Sequence, residues 1–313
     1  DDTGSIKISM RFPTDCGTPQ FNDPQAANYT TARASNGAHL QLRYDVKDNV
    51  RPWGRTLHVK VLQGYLKEND QIIVVLGDQS QGSPGWRIQT FLEKSFELRF
   101  HVDRYATYRY ETLPKSPSFR IVAGPPGKLV AVAPSQVLPG KKITVRIKRE
   151  DRWGNPTGRP WKESHPASAE EGVQRIGITD AETGLQTETN PICVQHQPTW
   201  NRYWADLHGQ SEETVGTNSV DDYFRFGRDL GFLDACAHQG NDFQITDDFW
   251  QTIQATTAKY HQPGRFITFP GWEWSGNTGL GGDRNVLFRE EGLGVISRSC
   301  RALVRPEQSA EPC

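Results

Sequence analysis

The sequence predicts a multidomain protein: N-terminal all-β, immunoglobulin-like sandwiches followed by an α/β segment. Three observations carry this. Apolar residues alternate with polar ones along the first hundred positions, the period of strands with one face in a core and one in water. No amphipathic helix is visible before residue 160. From about residue 198 the order becomes strand, helix, strand, helix, strand, the pattern of βα units around a parallel sheet. A length of 313 residues suits about two domains at ~150 residues each.

The alternating strands are Ile6 to Phe12, Leu40 to Val46, Leu57 to Val61 and Phe96 to Val102. The continuous apolar run Ile72 to Leu76 reads as a central strand. Asn36-Gly37, Gly77-Asp78 and Gly82-Ser83-Pro84-Gly85 supply turns between them. Ala123-Gly124-Pro125-Pro126-Gly127 is a stiff linker. Strands at Leu129 to Val132 and Ile143 to Ile147 open a second β module. Its turn Asp151-Arg152-Trp153-Gly154-Asn155-Pro156 resembles one found in bacterial immunoglobulin-like modules. The expected domains are 1–122, 123–195 and 196–313.

In the last of these, strands are expected at Tyr203 to Leu207, Leu233 to Ala237, Phe266 to Phe269 and Val286 to Phe288. Ser219 caps the first helix, with Asp222 three positions on. Thr246 caps the second, with Asp247 and Asp248 facing the positive end of its dipole. Pro263-Gly264 ends it.

Composition narrows the function classes. Lys and Arg number 36 against 37 Asp and Glu, a net charge of −1, which argues against a nucleic-acid-coating protein. No run approaches the ~18 apolar residues of a membrane span. Fourteen Phe, nine Trp and nine Tyr give enough apolar area for real cores. Five widely spaced cysteines without a C-x-x-C pair read as free thiols of a reducing compartment. Cytoplasmic location is expected, with secreted or periplasmic location left open because the chain opens on Asp1.

Chemistry is sought at the carboxyl ends of the α/β strands, where sites of such sheets form. His208 follows the first strand. His238 follows the second, then Asn241 and Asp242. Glu273 follows the third, and Asp283 lies in the loop before the fourth. Imidazole and carboxylate donors of this mix suit Zn, Mn or Fe ions. The plainer alternative is a set of hydrogen-bonding loop residues.

Asp206-Leu207-His208-Gly209-Gln210-Ser211 resembles the opening motif of polymerase-and-histidinol-phosphatase (PHP) domains. More closely, residues 206–290 resemble a bacterial family of unknown function that joins N-terminal β modules to a PHP-like domain. The carrying stretches are Leu207 to Thr214, His238 to Phe243, Pro270 to Gly276 and Gly281 to Val286. In the β half they are Gly77-Asp78, Gln89-Thr90-Phe91 and Asp151 to Asn155. The resemblance implies a distorted TIM-type barrel with two or three divalent metal ions that hydrolyses a phosphoester or related bond. By position it makes His208 and Glu273 metal ligands, with His238 or Asn241 as the second-strand ligand. Asp242, Asp283 and Gln210 are further metal candidates. Asp206 would orient His208. Glu213, close to His208, is a candidate base. Arg284 is a candidate for binding a substrate phosphate or carboxylate.

The chain departs from that pattern at Gln210 and Arg284, where histidines are expected. A complete barrel takes about 250 residues, more than the stretch after residue 198 provides. The tail Arg298 to Pro306 has neither helix nor strand periodicity, so a truncated or out-of-register end after about Gly292 is expected, with poor solubility from uncovered sheet edges. The function expected is metal-dependent hydrolysis of a phosphorylated or ester small molecule, with no nucleic-acid partner and no membrane span. The rival reading is a non-catalytic β protein that binds glycan, cell wall or a protein partner.

Overall fold

The computed structural model describes residues 4–198, 200–276 and 282–290. The chain divides into two compact units, residues 1–122 and 123–313.

The first unit is all β. Its main sheet is antiparallel, in the order His39–Asp45, Arg55–Gln63, Ser5–Met10, Arg99–Asp103, Glu111–Thr112. The expected alternation produces its core face. Ile6 lies opposite Val59, and Ile8 opposite both Leu57 and Phe100. Ile8, Leu57 and Val59 form the buried centre.

Two strand expectations need correction. Ile72–Leu76 is not central. It pairs only with Thr30–Ala34 in a two-stranded sheet. Ile72, Val74 and Leu76 pack on the core, whereas Val75 is 40% exposed, so an apolar run did not mean two buried faces. The stretch from Phe96 to Val102 is two strands, Glu93–Glu97 and Arg99–Asp103, in different sheets. The chain switches sheets at Leu98, whose N–H donates to Pro117 O.

The second unit begins with a β module. Lys128–Val132, Lys142–Glu150 and Pro156–Pro166 make an antiparallel sheet over a core of Leu129, Ile143, Val145, Ile147 and Ile192. Asp151 closes its turn by accepting from the backbone of Gly124, Trp153 and Asn155 and from the Asn155 amide. Burial pushes this carboxyl up, but those hydrogen bonds outweigh it and hold it down at about 2.

The α/β segment follows in the same unit. Ala205–Gly209, Ala235–His238 and Ile267–Phe269 form a parallel sheet in sequence order. Helices α1 (Val220–Asp229) and α2 (Asp247–Tyr260) connect them. The hydroxyls of Ser219 and Thr246 cap the helices by accepting from Asp222 N and Phe249 N, as expected. Phe224, Cys236, Ile253 and Phe266 fill the space between helices and sheet. The fourth parallel strand does not form. Asp283–Leu287 instead pairs antiparallel with Gly271–Ser275, a strand the sequence had suggested as loop. Among the described residues the strands make small sheets and no closed barrel. The 298–306 tail and residues after Gly292 lie outside the described residues. Among the described residues no helix is long and apolar enough to cross a membrane.

Phe224 is fully buried and stacks on Tyr260, ring centroids 5.8 Å apart, joining α1 to α2. Phe224→Ala is expected to cost about 3–5 kcal/mol in urea unfolding of the second unit. A loss below about 1 kcal/mol would contradict this packing.

Candidate functional site

The parallel sheet and the hairpin meet at one place. Gly209 pairs with His238 at the carboxyl ends of their strands. Gln239 N donates to Gly209 O, and Glu273 N donates to Gly240 O. Asn241 and Glu273 make a parallel bridge. Two close approaches depend on glycine. A Cβ at Gly209 would overlap the Tyr223 ring, and one at Gly271 would overlap Val286 O. The Tyr223 hydroxyl is in turn shared between Asp206 O and Ala237 O.

Glu273 is the centre of the arrangement. Its side chain is 7% exposed. Oε2 accepts from Gln210 Nε2 at 2.8 Å and from Asn241 Nδ2 at 2.7 Å. Thr214 fixes the Gln210 amide by donating to its Oε1 at 2.7 Å. Oε1 faces His208 Nε2 at 3.9 Å. Burial pushes the Glu273 carboxyl up. Asp283 and Asp242 push the same way, while His208 and the Asn241 hydrogen bond pull down.

The His208 ring is held by Asn285. Asn285 Nδ2 donates to Leu207 O at 2.9 Å, which turns its Oδ1 toward His208 Nδ1 at 2.6 Å. Nδ1 therefore carries the proton, and in the neutral ring Nε2 presents a lone pair to Glu273. Residue order pointed to no role for Asn285, although it lies inside the Gly281 to Val286 motif. The only usable signal was its place two residues after Asp283. Asp206, expected to orient the imidazole, accepts from the backbone N–H of His208 instead.

The other candidates are placed as follows. His238 is fully buried. Its hydrogen bond is Nε2 with Ser211 Oγ at 2.9 Å, and it packs edge-on to Tyr223 and Phe249. Ser211 donates to Glu213, an exposed residue, so His238 Nε2 is the donor to Ser211. The second-strand residue that reaches Glu273 is Asn241. Asp242 is buried and Asp283 exposed; both act on Glu273 through charge. Arg284 is exposed, with its guanidinium 5.7 Å from the centroid of the Trp274 ring opposite it in the hairpin.

The metal expectation is tested by the donor set. His208 Nε2 and Glu273 Oε1 are acceptors 3.9 Å apart. One cation with bonds of ~2.0–2.2 Å bridges donors about 3–4 Å apart. The residues thus fit a cation at two of its positions. No cluster of three or more His, Cys, Asp or Glu that suits a metal occurs among the described residues. Cys16, Cys193 and Cys236 are free thiols.

Residues 175–301 match a family model described as a protein of unknown function (DUF3604). An uncharacterized protein of Chlamydia pneumoniae is 24% identical over 316 residues, covering 89% of this chain and 50% of the relative. An uncharacterized protein of Chlamydia trachomatis is 24% identical over 189 residues, covering 51% of this chain and 30% of the relative. The chain thus spans half or less of the length of these relatives. No solved structure matches it. The resemblance to a bacterial family of unknown function is met at that level.

Burial pushes His238 down to about 4. A depressed pKa contributes stability above the unfolded value, about 6.5, and that stability is lost as pH falls through the folded value. The stability of wild type relative to His238→Phe should therefore decline between pH 6.5 and pH 4 in urea titrations. A pH-independent difference would contradict a buried neutral imidazole.

Proposed function

We propose that the α/β segment carries the metal-binding site of a hydrolase acting on a phosphoester or related ester of a small molecule. One observation carries the reading. Two acceptor atoms, His208 Nε2 and Glu273 Oε1, face each other at 3.9 Å with their other hydrogen-bonding capacity already committed. Opposed lone pairs repel unless a cation lies between them.

The neighbouring residues preorganise that gap. Asn285 holds the imidazole in the Nδ1–H tautomer, as the outer partners of metal-binding histidines do. Gln210 and Asn241 hold Oε2, leaving Oε1 free to face His208. Gln210 thus serves the carboxylate as a hydrogen-bond donor rather than the cation as a ligand. A divalent ion such as Zn, Mn or Fe held by His208 and Glu273 would lower the pKa of a water and stabilise charge on the leaving oxygen. His208 is itself exposed, so the gap is open to substrate. Arg284, its guanidinium 5.7 Å from the centroid of the Trp274 ring, supplies a cation for an anionic substrate group. Glu213, exposed on the loop after Gln210, supplies a carboxylate to accept a proton.

The competing occupant of the gap is a proton on Nε2, which would make His208 and Glu273 an ion pair. Elemental analysis and hydrolysis of bis(p-nitrophenyl) phosphate and p-nitrophenyl acetate separate the two. Bound metal and metal-dependent turnover are expected. His208→Ala and Glu273→Gln should abolish both, and Asn285→Ala should weaken metal affinity by about 10–100-fold. Absence of bound metal with Zn, Mn and Fe all supplied, or turnover unchanged in His208→Ala and Glu273→Gln, would overturn the proposal.

A further inference from the structure

The main sheet of the first unit has a second, polar face. Ile6 and Ile8 face the core, so Lys7 and Ser9 lie on the other side of their strand. The register sets a row across that side. Arg43 lies opposite His58, His58 opposite Lys7, Lys7 opposite His101, and His101 opposite Thr112. The next row holds Thr56, Ser9 and Arg99. Ser9 and Thr56 are fully buried there.

Residues 46–54, which connect His39–Asp45 to Arg55–Gln63, reach over this face as far as His101, three strands from where they start. Polar side chains hold them down. Val46 and Val50 stand in solvent, at 48% and 79% exposure, whereas Asp48 and Asn49 are half-buried. Lys7 Nζ donates to Asp48 O at 2.7 Å, and Arg43 pairs with Asp48 Oδ1 at 3.0 Å. The buried Trp53 ring has the Arg99 guanidinium 3.8 Å from its centroid. Asn49 Nδ2 donates to Ser9 Oγ at 3.1 Å and to His101 Nε2 at 3.0 Å.

The bond to His101 requires one protonation state. Asn49 Oδ1 accepts from Val50 N at 2.8 Å, so the amide nitrogen is the atom turned to the imidazole. An amide nitrogen only donates, so His101 Nε2 carries a lone pair. Nδ1 then holds the proton and donates to Thr112 Oγ1 at 2.9 Å. A second proton, on Nε2, would set donor against donor. His58 has no such dependence. Its Nε2 meets the Tyr110 hydroxyl at 3.0 Å, and a hydroxyl accepts as well as donates.

We propose that residues 46–54 form a pH-gated strap, in which protonation of His101 Nε2 breaks the bond to Asn49 and lifts the strap off the polar face of the sheet. The charges around the imidazole are Lys7 on the next strand, Arg99 and Glu97 on its own side, and Asp48 in the strap. Glu97 pairs with Arg99 at 2.9 Å, and Asp48 is engaged by Lys7 and Arg43. Asp103 accepts from the backbone of Tyr105, Thr107 and Tyr108, and Glu111 on the neighbouring strand pairs with Arg104. Burial holds the His101 imidazole below its ordinary value; Arg99 and Lys7 push the same way and Glu97 opposes them. The latched form therefore binds the proton more weakly than the released form. Its advantage is complete above the ordinary value, about 6.5, and is lost as pH falls through the lower, latched value. Protonation also adds a third cation beside Lys7 and Arg99, and like charges on neighbouring strands repel.

The test is hydrogen exchange of the full chain read by mass spectrometry over residues 46–54, at about pH 7.5 and about pH 5, with rates corrected for intrinsic exchange. Exchange of this segment in wild type should rise at least about threefold at the lower pH, while Ser5–Met10 and Arg55–Gln63 stay protected. His101→Gln does not titrate and should remove the pH dependence. Asn49→Ala should exchange fast at both pH values, and His58→Gln should keep the wild-type response. Equal exchange of wild type at the two pH values, a wild-type response kept by His101→Gln or Asn49→Ala, or a response lost in His58→Gln would overturn the proposal.

Discussion

A carboxylate kept out of water sets the terms for the end of the α/β segment. Burying a charge without partners costs several kcal/mol. Glu273 offsets this with two amide donors on one oxygen and an imidazole facing the other. The partners come from two pieces of chain: His208 and Gln210 from the end of the first parallel strand and just beyond it, and Asn241 from beyond the second. The carboxylate therefore gathers the strand ends and the hairpin into one structure. Asp242 and Asp283 add negative charge around it, which raises its proton affinity and attracts any other cation.

The rest of the second unit supports that meeting point. Gly209 lets the first strand run against the Tyr223 ring of α1. Gly227, one turn after Tyr223 on the same face of α1, lets the helix approach Cys236 on the central strand. The β module also takes part. Lys148 donates to Leu230 O at the end of α1 at 2.6 Å. Arg146 and Lys148 both lie over the Phe232 ring in the turn that leads to the central strand. The turn that positions that strand is thus held by cations from the preceding module.

Much of the fold could be read from residue order. Period-2 alternation found the strands around Ile8, Leu57 and Val59, and the cap residues Ser219 and Thr246 located both helices. The misses have physical causes. The run Ile72–Leu76 is apolar on both faces yet sits in a two-stranded pair, because periodicity reports side-chain character and not the number of neighbours. Leu98 fits the alternation but marks a change of sheet, which only its bond to Pro117 reveals. Gly271–Ser275 was hidden by glycine and tryptophan in a stretch that looked like a strand-end loop.

The site was legible in part. His208 and Glu273 were named from their positions after strands and Gln210 from the motif resemblance, and the three meet. His238 has the same sequence signal but turns into the apolar space between Tyr223 and Phe249. One residue's difference in strand register decides which side chain faces the site, and here Asn241 takes that place. Asn285 acts through the imidazole and its neighbour's carbonyl, so its importance depends on a contact across 77 residues of sequence.

The central claim is that the gap between His208 Nε2 and Glu273 Oε1 is a cation site. Anomalous diffraction from crystals grown with Mn or Zn tests it most directly. The account predicts a peak within about 2.3 Å of both atoms, with the Asn285 contact to Nδ1 retained. A map with no peak in the gap, and His208 directly hydrogen-bonded to Glu273, would contradict it.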